Sequence, residues 1–175
     1  MEKHLILIDV QNDFITGALA LPGAEAVAQK IKHYVVNHKK TYDSITATLD
    51  IHKKEHWETQ SNVETRNFPE HCLCHSHGAA LYEDLSKHVD FFRGKSTFMA
   101  RAIDFSYSDE PLEIDICGFA TDICVLSNAL FLRSRYPRAT ITVIDNLCVG
   151  TTPERHVAAI ELMRTNCINI SIKPV

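Results

Sequence analysis

The chain has 175 residues, 45% of them hydrophobic and 23% charged, which suits one compact soluble domain spanning residues 1–175. Its formal charge of -4 supplies no basic surplus to neutralise phosphates, so nucleic acid and anionic membrane are disfavoured as partners. Apolar runs such as 5–8 and 129–132 fall far short of the roughly 20 residues that span a bilayer. The opening Met1-Glu2-Lys3-His4 runs straight into a strand-like segment without a secretory pattern, and the six cysteines are scattered through apolar segments. Both features lead to an expectation of reduced thiols and a cytoplasmic protein. A homo-oligomer is compatible with this composition.

Residues 4–9 are almost wholly aliphatic before an acid, the pattern of a strand covered on both faces of a parallel sheet. A helix over 24–38 follows the Pro22-Gly23 turn. A second strand covers 44–49, then an irregular stretch runs from 51 to 78, and a sixth strand is expected around 89–92. The remaining elements alternate: strand 112–117, helix 121–135, strand 139–144, helix 153–165 and strand 168–172. Thr152-Pro153 supplies an N-cap and first-turn proline for the last helix. The alternation predicts an α/β fold, a three-layer αβα sandwich on a mostly parallel sheet of five to six strands with Rossmann-like crossovers.

In such sheets the ligand crevice lies beyond the carboxyl ends of the strands. Three groups of residues fall there. Gly118-Phe119-Ala120-Thr121-Asp122-Ile123-Cys124 leads a strand through a tight turn into a helix, and Cys124 sits in the first turn, where free amides favour a thiolate and can hold an oxyanion. Cys124 therefore reads either as a nucleophile or as a cysteine packed under a helix. The 51–78 stretch, with the residue before it, holds Asp50, His52, His56, His71, His75 and His77, a donor set for zinc, iron(II) or manganese or simply a solvated loop. Cys72 and Cys74 beside three of these histidines offer a structural zinc knot as a rival, although C-x-C-H-x-H is not a common structural spacing. Asp9, at the end of a buried strand, either caps a turn with Asn12 or serves chemistry, and Lys95 alone reads as a solvated surface charge.

Taken in order, Asp9-Val10-Gln11-Asn12-Asp13-Phe14, Asp50-Ile51-His52, Phe68-Pro69-Glu70-His71-Cys72, Lys95 and the 118–124 segment resemble the nicotinamidase branch of the isochorismatase-like cysteine hydrolases. The resemblance implies a catalytic triad of Asp9, Lys95 and Cys124, with backbone amides of Ala120 and Cys124 as the oxyanion hole and a cis peptide between Phe119 and Ala120. It implies one divalent metal ion, zinc first with iron or manganese as alternatives, on Asp50, His52 and His71. Glu64, seven residues before His71, matches one family pattern for the fourth ligand, and His56 is the competing donor. The implied substrate is nicotinamide, with its ring against Phe14 and Phe68 and its nitrogen on the metal, and the related amide pyrazinamide. Phe68 stands where some relatives carry Trp, and Cys74-His75-Ser76 replaces a more usual Q-G-T. Alternatives are another amide or carbamoyl cysteine hydrolase on the same scaffold, or a non-catalytic metal-binding protein. His156, Cys117, Cys148 and Cys167 are assigned to packing.

Overall fold

The structure is a computed structural model and describes residues 2–60, 63–105 and 111–174. Six strands form one sheet in the order β3-β2-β1-β4-β5-β6, and every pairing is parallel. They are β1 (Glu2–Ile8), β2 (Ser44–Asp50), β3 (Phe91–Lys95), β4 (Leu112–Phe119), β5 (Thr140–Val149) and β6 (Asn169–Ser171). The central strands are aliphatic because helices cover both faces: Leu5, Ile6, Leu7 and Ile8 in β1 and Ile114 and Ile116 in β4 are fully buried. The chain steps from β1 to β2 in one direction and from β4 to β6 in the other. Right-handed crossovers therefore put their helices on opposite faces.

After a single turn, α1 (Asn12–Ile15), the main helices are α2 (Ala24–His38), α5 (Leu126–Arg135) and α6 (Pro153–Thr165). Helix α2 follows Gly23, at φ 84°, and buries Ala24, Ala28, Ile31 and Val35 along one stripe against β4 and β5. Helix α6 starts as its sequence predicts: Pro153 is the first helical residue and the Thr152 hydroxyl accepts the Arg155 N–H at 3.2 Å. It ends in a turn in which Ile168 N–H reaches the Met163 carbonyl at 3.1 Å and Cys167 takes φ 59°. Cys167 is therefore exposed, against the expectation of packing, because a helix-terminating residue faces out. Cys117 and Cys148 are buried as expected.

Several departures from the sequence reading have local reasons. Strand β1 stops at Ile8, and Asp9 turns out of the sheet at φ 49°. The sixth strand lies later than 89–92, ending at Lys95 in register with Asp50. As the sheet's edge it exposes Phe91 and Phe92, so apolar content misplaced it. Strand β5 continues to Val149 through an irregularity in its pairing with β4. The 51–78 stretch is not wholly irregular: it carries α3 (Lys54–Glu58) and α4 (Val63–Asn67), both too short for a readable period.

Gly118 is where β4 meets β1 most closely. A Cβ there would sit 2.0 Å from the Ile8 carbonyl oxygen, and φ is 126°. Gly118→Ala is expected to cost at least about 4 kcal/mol, through a backbone clash and a conformation that L side chains avoid. Urea denaturation checks this, and a loss below about 1 kcal/mol would contradict the packing described.

Candidate active site

The carboxyl ends of β1, β2, β3 and β4 converge where the strand order changes direction, between β1 and β4. Asp9 leaves β1, Asp50 ends β2, Lys95 ends β3, and Cys124 follows β4 on a π-helical turn, Thr121–Val125, that feeds α5. Lys95, unremarkable in sequence, is only 8% exposed, because the β2–β3 register carries its side chain over the sheet end. Its Nζ lies 2.8 Å from Asp9 Oδ2 and 3.5 Å from both Asp50 Oδ1 and Cys124 Sγ. Asp9 is fully buried and its Oδ1 accepts the Thr48 hydroxyl at 2.6 Å, while Asn12 bonds instead to the His77 carbonyl. The turn-capping alternative for Asp9 is thereby removed.

Burial dominates the ionisation of this trio. It pushes the Asp9 carboxyl up against the pull of the Lys95 ammonium. It opposes the charge on Lys95, but Asp9, Cys124 and Asp50 together hold that ammonium firmly protonated. Burial, then the Asp9 charge, raise the Cys124 thiol well above its usual range, with Lys95 opposing. The first-turn position does not make a resting thiolate, because dipole stabilisation of about 0.3–1 kcal/mol is small beside the cost of burying an anion. Cys124 rests as a thiol, beside a carboxyl suited to receive its proton.

Next to this trio, Asp50, His52, Glu64 and His71 bring one donor atom each within 4.8 Å of one another, and all four are buried. Among the described residues this is the one such cluster of three or more metal-type donors. His52 Nε2 lies 2.9 Å from Asp50 Oδ2 and 3.2 Å from Glu64 Oε2, and His71 Nε2 lies 3.0 Å from the same Asp50 oxygen. His71 Nδ1 is 2.8 Å from the Pro69 carbonyl, an acceptor only, so Nδ1 carries a proton and a neutral ring turns its Nε2 lone pair toward Asp50. Facing lone pairs repel unless a cation lies between them. The donor set fits a divalent cation on that ground, with oxygen and imidazole ligands as zinc, iron or manganese accept. Without one, burial opposes charge on His52, but Asp50 and Glu64 outweigh it and raise its pKa to about 9. The Asp50 carboxyl falls well below its usual range because His52, His71 and Lys95 outweigh its burial.

The competing donors are not brought together. The His56 Nδ1 instead receives the Lys53 N–H at 3.4 Å at the start of α3, with its ring 6.1 Å from that of His52. Cys74, His75 and His77 are exposed and Cys72 is buried, so the zinc-knot alternative has no shared centre. Cys72 serves the loop through its backbone: its N–H donates to Asp13 Oδ2 at 2.6 Å, fixing the residue beside His71. Gln11 likewise clamps Asp50, accepting its N–H at 2.7 Å and donating to its carbonyl at 2.8 Å.

A cleft of about 350 Å³, including its open mouth, lies over Cys124 and the donor cluster. Phe14, Phe68, Ala120 and Cys124 line it, and the Phe119–Ala120 peptide is cis. Leu19, Phe98 and Ile123 complete its apolar wall. Trp57, the single tryptophan, packs edge-on to His52 and His71 with ring centroids 5.0 and 5.3 Å away. The sequence assigns none of these four to the site: a single apolar residue, in a loop or on the turn before α5, carries no signal by itself, though a lone Trp among histidines is a usable one. His156 does more than pack, since it bridges Thr121 Oγ1 and Asp145 Oδ1, both at 2.9 Å, behind the turn that carries Cys124.

The parallel αβα architecture agrees with comparison to known proteins. Residues 3–172 match the isochorismatase domain, and the chain belongs to that family. The chain is 31% identical to the nicotinamidase/pyrazinamidase of Mycobacterium tuberculosis, over 96% of this chain and 97% of that one. It is 27% identical to a nicotinamidase of Schizosaccharomyces pombe, over 95% and 91% of the two chains. The crystal structure of a pyrazinamidase of Pyrococcus horikoshii in complex with zinc superposes with a TM-score of 0.80 at 25% identity, covering 99% of this chain and 100% of that one. Among the described residues no helix is long and apolar enough to cross a membrane.

Proposed function

We propose that this chain is a nicotinamidase, hydrolysing nicotinamide, and with it pyrazinamide, to the acid and ammonia through a thioester on Cys124. The whole chain, 1–175, is read as one hydrolase domain acting in the reducing cytoplasm, a reading supported by six free cysteines. The observation that carries the reaction is the packing of Asp9 and Cys124 around the Lys95 ammonium at the floor of an aromatic cleft. The relatives' activities support the same substrate class.

In this reading Phe14 and Phe68 hold the ring and orient the carboxamide carbon over Cys124 Sγ. Asp9 takes the thiol proton as Sγ attacks, while Lys95 balances the negative charge shared by sulfur and carboxylate. The amides of Ala120 and Cys124 receive the oxyanion. Asp9 then returns the proton to nitrogen, so that ammonia leaves as a neutral amine. In the second half Asp9 accepts a proton from water as it attacks the thioester and gives it to the Cys124 sulfur as the C–S bond breaks, which releases the acid and restores the thiol.

Asp50, His52, Glu64 and His71 would hold one divalent ion, for which zinc is the first choice. Such an ion supplies Lewis-acid affinity for a pyridine nitrogen. One donor cluster among the described residues favours one ion per chain, and so an enzyme over a metal-sequestering protein. Ammonia release from nicotinamide, with and without chelator and beside an aliphatic carboxamide, tests the proposal. Turnover of nicotinamide that chelator abolishes is expected. Turnover of the aliphatic amide alone would move the assignment to another amide hydrolase, and no turnover of either would overturn it.

A further inference from the structure

Asn128 lies on α5, one turn beyond Cys124, and is completely buried. Asparagine is a poor helix former, and an apolar side chain would fill this space without polar groups to satisfy. Yet every polar atom of its amide is engaged. Nδ2 donates to the Cys124 carbonyl at 2.7 Å and to the Phe98 carbonyl at 3.0 Å, and Oδ1 accepts the Ala100 N–H at 2.9 Å. One side chain thus ties the nucleophile's turn to the segment that follows Lys95.

That segment needs an anchor. Strand β3 is the edge of the sheet, and residues 96–100 run on from it without regular structure. Phe98 nevertheless forms a wall of the cleft, edge-on to Phe68 with centroids 6.3 Å apart. Two of the three Asn128 bonds go to the Phe98 carbonyl and the Ala100 N–H, both just beyond the Cα that carries the Phe98 ring. The third holds the Cys124 carbonyl, which already belongs to a helical turn. The movable end of the bridge is the Phe98 end.

We infer that Asn128 is a positioning residue for substrate: its amide fixes the Phe98 ring in the cleft wall beside Phe68, in a set place relative to Cys124. The inference rests on the nicotinamidase reading and deepens it, since an aromatic wall sets how well a heteroaromatic ring is held. It acts on binding more than on bond making.

The test uses the full-length, metal-loaded enzyme carrying Asn128→Ser, Phe98→Ala or both. A serine still reaches the carbonyl four residues back but is too short for the 98–100 segment. Asn128→Ser is expected to raise KM for nicotinamide about tenfold, with kcat within about threefold of the parent and the rate of Cys124 alkylation unchanged. Phe98→Ala should raise KM as well, and the double variant should match Phe98→Ala alone, because Asn128 acts through that ring. Should Asn128→Ser fold poorly, Asn128→Asp keeps the volume and the Ala100 bond while turning acceptors toward two carbonyls, and should give the same KM rise. An unchanged KM, additive effects in the double variant, or parallel losses of kcat and alkylation would overturn the inference alone. A parent chain that does not hydrolyse nicotinamide would overturn the functional reading with it.

Discussion

Cys124→Ser is expected to lower kcat/KM for nicotinamide by about four orders of magnitude, or some 5.4 kcal/mol at 1.36 kcal/mol per decade. The reason is the proton on the attacking atom. Burial raises both the Asp9 carboxyl and the Cys124 thiol, which favours passing the proton between them, but a serine hydroxyl in the same buried place holds its proton far more tightly than a thiol. Lys95 at 3.5 Å from sulfur assists the anion in either case, so it does not rescue the variant. The exchange shrinks one buried atom and adds no charge, so melting temperature, metal content and nicotinate binding should stay near the parent's. Activity within tenfold of the parent, with those properties intact, would remove Cys124 from the chemistry.

His52→Ala is expected to lower divalent-metal affinity by more than about 100-fold, since loss of even a supporting outer partner costs 10–100-fold. His52 is fully buried and its Nε2 stands between two carboxylates, at 2.9 Å from Asp50 and 3.2 Å from Glu64. Removing it leaves His71 and two carboxylates, a poorer donor set for zinc. The purified variant should contain well under one equivalent of metal, and KM for nicotinamide should rise more than kcat falls. Full metal content with an unchanged KM would break the assignment of these four residues. His56→Ala is the internal control: its Nδ1 receives an N–H at the start of α3, so metal content should hold.

The parts of this molecule that were readable in sequence are those whose signal is local and repeated. The aliphatic run ending in Asp9 and the α2 stripe each carry enough residues to declare their surroundings. The parallel sheet follows because strands and helices alternate. Lys95 was unreadable by itself, because its burial comes from the register of β3 with β2 and not from its neighbours in sequence. The choice between Glu64 and His56 likewise depended on where two very short helices turn their side chains. A thiolate at Cys124 was expected from its place at a helix start, whereas the cost of burial, invisible in sequence, holds the proton on sulfur. Trp57, Phe98 and Asn128 shape the site through contacts with segments far away along the chain, and only the fold reveals them.

The central claim is that the Cys124 sulfur carries the substrate. Cys74 and Cys167 are exposed, whereas Cys72, Cys117 and Cys148 are buried away from the cleft, so Cys74→Ser/Cys167→Ser leaves Cys124 as the thiol a small reagent meets in the cleft. Treating that variant with iodoacetamide while following both the Cys124 peptide mass and nicotinamide turnover measures the claim directly. The account predicts that activity falls in proportion to Cys124 labelling and that nicotinamide slows both. Full labelling of Cys124 with undiminished turnover would contradict it.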